Sequence, residues 1–191
     1  KKEYIGAQKM ALVESIDIKI NTRMPDFNLD DPDGKMFTSK ALLQSKGLAV
    51  FFTCNHCPYA KAIWPRIIRS YLELYKNGIG FVAINSNINP LYPDDSAEKM
   101  KEKVQEWEIP FPYLIDKSQN TAKQYQAQCT PDIFLLDDTM NLVYHGRFDD
   151  NWKDEKNVHQ QDFKIAALNL IEGESIALKQ YPSLGCSIKW I

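Results

Sequence analysis

The sequence predicts an α/β domain in which a mixed β-sheet carries helices on both faces. Three observations predict it. Two continuous apolar runs, Gly47–Phe52 and Gly80–Ile84, read as strands covered on both sides. Between them lies a segment of helical period, Pro58–Asn77, so strand, helix and strand make a right-handed crossover. Farther on, Asp132–Leu136 and Leu142–His145 flank the turn-forming Asp137–Asn141 and read as an antiparallel hairpin.

The remaining elements follow in order. Pro25–Leu29 reads as a short strand, Asp30–Gly34 as a tight turn, and Lys35–Thr38 as the returning arm. Ser39 is a candidate N-cap for a short helix over Lys40–Gln44. In Pro58–Asn77 the apolar side chains Ile63, Ile67, Tyr71, Leu74 and Tyr75 recur at helical spacing, and Asn77-Gly78 supplies the stop. Pro65 lies inside that helix and removes one backbone donor, which kinks it. Asn85–Asp94 holds Pro90 and Pro93 and reads as a loop; Asp95 or Ser96 then caps a helix to about Glu108. Tyr113–Asp116 reads as a strand, Gln119–Gln126 as a short helix and Val158–Ile171 as a final amphipathic helix. The whole chain, 1–191, reads as one domain. Residues 1–24 form an N-terminal extension, in which Lys1–Lys9 has the look of a tag or leader remnant ahead of Met10, and residues 172–191 form an irregular tail.

Composition narrows the function. At 191 residues, 44% hydrophobic and 25% charged, the chain can bury an ordinary globular core. A net charge of −2 gives nucleic acid no general electrostatic attraction, and no apolar run reaches bilayer-spanning length. Neither nucleic acid nor a membrane is expected as a partner. The polar N-terminus lacks the apolar stretch of a secretory leader, so a cytoplasmic setting is the expectation.

Four cysteines are too few for a disulfide framework, but two of them are three apart. Thr53-Cys54-Asn55-His56-Cys57-Pro58 places both between a buried strand and the start of a long helix. A helix N-terminus carries partial positive charge and free N–H groups, so a thiol there ionises more easily. The thiolate attacks a disulfide, and a second thiol nearby resolves the mixed disulfide. His56, lying between the two, is placed to lower a thiol pKa further. The same pair is half of a zinc site, yet no second pair follows: Cys129, His145, His159 and Cys186 are single and scattered. No resident metal is expected.

On these residues the chain resembles the thioredoxin-like superfamily, in the redoxin branch related to alkyl hydroperoxide reductase and thiol-specific antioxidant proteins (AhpC/TSA). The resemblance runs from about Pro25 to Ile171. It rests on Cys54 and Cys57 after a buried strand, the kinked helix behind them, and Cys129-Thr130-Pro131-Asp132 before the hairpin. It implies a thioredoxin-like fold and a cis Pro131 that faces the cysteine pair and helps hold substrate backbone. Asn55, His56, Pro58, Cys129, Thr130 and Pro131 then make up the surroundings of the active site.

The resemblance has one informative departure. The kink proline usually follows the second cysteine by five residues, whereas Pro65 lies eight after Cys57. Sliding the register by three puts Cys57 where the family's first, attacking cysteine stands. Local physics agrees. The residue before a proline is pushed out of the helical region, and proline favours the first helical position. Cys57 is thus the expected N-cap, able to draw on the N–H groups of Tyr59 and Ala60, with Cys54 as its disulfide partner and nearer an ordinary thiol. The reverse order, Cys54 attacking and Cys57 resolving, is the alternative.

Cys129, two residues before Pro131, reads equally as a buried apolar residue or an auxiliary thiol, and Cys186 as a packed tail residue, an exposed thiol or a second resolving partner. His145 and His159 read as satisfied or surface residues, Arg147–Asp150 as a solvated charge cluster, and Trp64, Trp107, Trp152 and Trp190 as packing. The expected function is thiol–disulfide oxidoreduction by Cys54 and Cys57, with no organic cofactor. The substrate is a protein or small-molecule disulfide or a peroxide, and the reductant an unidentified thiol donor. The alternatives are a peroxidase with Cys57 as the oxidised residue and a metal-binding protein using Cys54, Cys57 and His56.

Overall fold

A computed structural model describes residues 12–177 and 179–191. The Lys1–Lys9 segment and Met10 lie outside the described residues. At the centre is β4 (Gly47–Phe52), flanked by a parallel β5 (Ile79–Asn85) on one side and an antiparallel β8 (Asp132–Asp137) on the other. Outward on the first side come β6 (Tyr113–Ile115), β2 (Asn28–Asp30) and β3 (Met36–Thr38); outward on the second comes β9 (Leu142–His145). The sheet is mixed, and the class read from the sequence holds.

β4 shows why an unbroken apolar run reads as a central strand. Successive side chains point to opposite faces. Ala49 and Phe51 enter one core, with Ile63, Trp64, Ile67 and Leu74 of α2 (Pro58–Lys76) and Phe163, Ala166 and Ala167 of α5 (Asp162–Glu172). Leu48, Val50 and Phe52 enter the other, with Ala122 and Tyr125 of α4 (Asn120–Tyr125), Met24 and Phe27. Both faces are covered, so no polar position interrupts the run.

Helix ends differ from expectation in instructive ways. Thr38 rather than Ser39 caps α1 (Ser39–Leu42), accepting the Ala41 N–H. Ser39 instead donates from its hydroxyl to Asp26. α5 starts four residues later than its apolar period suggests, because Glu155–Asn157 form a separate 3₁₀ turn. Ser96 caps α3 (Ala97–Glu106), and Asp95 turns inward.

The largest difference concerns the two ends of the described chain. The tail expected to be irregular contains a strand, β10 (Leu184–Ser187). It lies between β1 (Leu12–Glu14) and the two-residue β7 (Cys129–Thr130) in a second, three-stranded antiparallel sheet. Residues 12–24, expected as an extension, supply β1, pack Ile18 and Met24 into the core, and bridge Arg23 to Asn141. Strands three or four residues long with distant partners leave almost no periodic trace. Among the described residues no helix is long and apolar enough to cross a membrane.

Candidate active site

Three elements converge beyond the end of β4. The first is the loop Thr53–Cys57, which enters α2 with Pro58 as first helical residue and Cys57 as an extended N-cap at φ −69°, ψ 122°. That is the conformation a following proline imposes. The second is set by register. Phe52 pairs with Asp132, so the residues just before β8, joined by a cis Thr130–Pro131 peptide, fall beside the cysteine loop. The third is β10, whose Cys186 pairs with Thr130. A Cβ on Gly185 would lie 2.0 Å from the Thr130 carbonyl oxygen, so only glycine lets the strand come this close.

The result is a buried cluster of Cys54, Cys57, Cys186 and Ala60, edged by Tyr59. The Cys57 sulfur lies 2.8 Å from that of Cys186 and 3.0 Å from the Thr130 carbonyl oxygen. The Cys54 sulfur lies 3.3 Å from the Thr130 hydroxyl. Among the described residues none of the four cysteines is joined in a disulfide. Cys186, a tail residue in the sequence reading, belongs to the centre of the site.

Neighbouring thiols titrate as a set. The hydrogen bond between the Cys57 and Cys186 sulfurs pulls the Cys57 pKa far below the usual thiol range. The Cys54 S–H adds to this, burial opposes it, and the N–H groups of Ala60 and Cys186 lend further support. Cys186 is correspondingly pushed up, first by holding that hydrogen bond and then by burial. Cys54 is pushed up mainly by burial, then by its hydrogen bond to Cys57 and by the charge of Asp95. Of the three clustered thiols, Cys57 is the one whose ionisation the site favours.

Three expectations are corrected here. Cys57 accepts no capping hydrogen bond of normal geometry, and of the two helix N–H groups only that of Ala60 acts on it. Cys54 does not keep an ordinary thiol pKa. His56 does not acidify Cys57, because Asp95 holds its ring: Nδ1 hydrogen-bonds the Asp95 carboxylate. The ring stacks on Tyr92, centroids 5.2 Å apart, and its Nε2 is buried without a hydrogen-bond partner among the described residues.

Asp95, fully buried, is the site residue that sequence reasoning missed. Its oxygens take the Asn55 N–H at 2.6 Å, the Asn85 side-chain amide at 3.1 Å and His56. Asn55 also donates to Asp94 O and accepts the Tyr113 hydroxyl, so the whole x-x of the cysteine motif is tied to β5, β6 and the segment before α3. The only sequence signal was an Asp-Asp-Ser before a helix, where Asp and Ser compete for the cap. Cys54, His56 and Asp95 place one donor atom each within 4.8 Å of one another, a thiol, imidazole and carboxylate set of the kind zinc takes. In the structure the carboxylate is already engaged by N–H donors.

The other candidates separate cleanly. Cys129 is buried with its thiol toward the carbonyls of Pro131 and Ser183, outside the three-thiol cluster, and burial pushes its pKa up. His145 Nε2 meets Asp132 at 2.7 Å as a satisfied core histidine, and His159 is exposed. Arg147–Asp150 is not a solvated cluster: Phe148 and Asp149 are buried, Asp149 pairs with Arg66, and Arg147 pairs with Asp162. Trp64 and Trp107 pack together, Trp152 lies on Tyr59 with centroids 4.0 Å apart, and Trp190 is exposed. A cavity of about 270 Å³ opens beside Pro131, lined by Ile63, Phe148, Trp152 and Tyr181 among others.

Two solved structures match nearly the whole chain. One, an uncharacterized conserved protein from Geobacillus kaustophilus, is 37% identical with a TM-score of 0.90, covering 95% of this chain and 97% of that one. The other, a hypothetical protein from Sinorhizobium meliloti 1021, is 38% identical with a TM-score of 0.88, covering 93% and 98%. Thiol-disulfide oxidoreductase ResA of Halalkalibacterium halodurans is 25% identical over 118 residues. That alignment covers 62% of this chain and spans 62% of the relative's length. The AhpC/TSA family pattern matches residues 20–145, a stretch that contains Cys54, Cys57, Thr130 and Pro131. By that match, over most of its length and through its cysteine loop, the chain belongs to the AhpC/TSA family.

Proposed function

We propose that the protein is a thiol–disulfide oxidoreductase whose attacking residue is Cys57. The observation that carries this is the placement of the Cys57 sulfur: at the N-cap of α2, 2.8 Å from the Cys186 sulfur and beside the cis Thr130–Pro131 turn. The thiolate is the nucleophile in disulfide exchange, and its neighbours hold the protons the exchange requires. Cys57 attacks a substrate disulfide, forms a mixed disulfide, and expels one substrate sulfur as a thiolate. A neighbouring protein thiol then attacks the Cys57 sulfur, loses its proton, and expels the second substrate sulfur. The substrate leaves as two thiols, the protein keeps one disulfide, and a thiol donor reduces it again. Cys54, three residues away, is a resolving partner for Cys57. The substrate class is a protein or small-molecule disulfide, in keeping with the ResA relatives; the cavity beside Pro131, lined by apolar and charged side chains, suits a residue flanking such a disulfide.

The test is insulin-disulfide reduction with dithiothreitol as donor, run beside hydrogen peroxide consumption. Wild-type protein is expected to reduce insulin and Cys57→Ser to lose that activity. Undiminished insulin reduction by Cys57→Ser would sink the assignment. Peroxide consumption with insulin untouched would replace it by the peroxidase reading.

A further inference from the structure

We infer that Cys186 is a second resolving thiol: it closes an intramolecular disulfide on Cys57, which fastens β10 to the start of α2. The inference deepens the oxidoreductase reading and rests on it. Two geometric observations support it.

The first is distance. The sulfurs of Cys57 and Cys186 are 2.8 Å apart, and a disulfide needs about 2.05 Å, so they close by under an ångström. The second is placement. Cys186 is held by strand register on both sides, opposite Leu12 of β1 and opposite Thr130 of β7, and Gly185 lets the strand approach the Thr130 carbonyl. Thr130 itself touches Cys54, Cys57 and β10, so one residue sets the positions of all three thiols. When Cys57 forms a mixed disulfide with substrate, the Cys186 sulfur already lies against the sulfur it must attack.

The step balances without further reagents. Substrate disulfide R–S–S–R and the Cys57 thiolate give Cys57–S–S–R and R–S⁻. The Cys186 thiol, giving its proton to the departing R–S⁻, attacks the Cys57 sulfur; the Cys57–S–R bond breaks, and a second R–S⁻ leaves and takes a proton from water. Cys57 and Cys186 are oxidised by two electrons, and the substrate disulfide is reduced by two.

The experiment uses the full chain with glutathione disulfide as oxidant, in wild type and in Cys54→Ser, Cys186→Ser and Cys57→Ser variants. Thiols are counted after acid quenching, and linked peptides are mapped by mass spectrometry. Cys54→Ser is expected to lose two thiols and yield a peptide pair joining Cys57 to Cys186, with no lasting glutathione adduct. If Cys54→Ser instead stops at a Cys57–glutathione adduct, the inference is overturned while the oxidoreductase reading stands. If Cys54→Ser joins Cys57 to Cys129, the inference is likewise overturned. If wild type and Cys54→Ser both leave glutathione disulfide untouched, the oxidoreductase reading falls and takes the inference with it. Because Cys54→Ser leaves Cys186 in place, the result does not depend on whether β10 survives loss of its own cysteine. The Cys186→Ser protein gives the converse, a Cys54–Cys57 link only.

Discussion

Arg66 is the residue whose loss should be felt farthest from where it sits. It lies on α2, 7% exposed, with its guanidinium 2.5 Å from the Asp149 carboxylate. The same group donates to the carbonyls of Asn151 at 2.9 Å and Trp152 at 2.6 Å. It thereby fastens to the active-site helix the segment whose Trp152 packs on Tyr59. Burial pushes the Asp149 pKa up, more than Arg66 pulls it down. The sign follows. A carboxyl raised in the folded state favours folding at low pH, and that contribution is lost as pH rises through its folded pKa. At neutral pH the buried Asp149 charge is therefore a cost that Arg66 only partly offsets. Arg66→Ala leaves the charge unpaired and two carbonyls without their donor. Breaking a buried pair this way costs about 3–5 kcal/mol, which for a domain of this size lowers Tm by roughly 6–20 °C at about 2–4 °C per kcal/mol. Urea unfolding followed by tryptophan fluorescence measures it. The deficit should shrink as Asp149 protonates in acid, and Arg66→Ala/Asp149→Ala should lose less than the two single changes added together. A loss below about 1 kcal/mol, or simple additivity across the pair, would refute the reasoning.

Two further outcomes are expected. Cys57, its pKa drawn down chiefly by its hydrogen bond with Cys186, should be alkylated by iodoacetamide at mildly acidic pH, before Cys54 or Cys129, both of which burial pushes up. Its labelling rate should stay flat across neutral pH, and Cys186→Ala should move the titration upward; site-resolved mass spectrometry reads both, and Cys54 labelling first would contradict the assignment. Gly185→Ala puts a methyl 2.0 Å from the Thr130 carbonyl, so β10 must shift, at a cost of about 1–3 kcal/mol. That variant should unfold earlier in urea and lose the Cys186-dependent acidity of Cys57, and wild-type values for both would be the contrary result.

What the sequence made legible was whatever depended on neighbours along the chain. β4 announced itself because both of its faces are covered, and Pro58 announced the helix start because its ring constrains Cys57 directly. The pairing of Thr130–Pro131 with the cysteine loop was visible only through family resemblance, since β4–β8 register joins residues eighty or more positions apart. Asp95 stayed hidden as a site residue, and for Cys186 the sequence left packing and a thiol role both open. Asp95 reaches Asn55 from forty residues away, and its local context spoke for a helix cap. Cys186 reaches Cys57 through a four-residue strand whose partners are β1 and the two-residue β7. Such short strands satisfy hydrogen bonds without needing the alternation that marks longer ones. The supposed acidifier His56 was misassigned for the same reason: its partner Asp95 comes from elsewhere in the chain.

The second sheet also fixes when the thiol cluster can assemble. Cys57 and Cys186 meet across 129 residues, and synthesis runs from the first toward the second. A nascent chain carries Cys54, Cys57 and the helix behind them long before β10 exists. During that interval the contact between Cys57 and Cys186 cannot form. The three-thiol cluster is thus delivered late, as a product of completed tertiary structure.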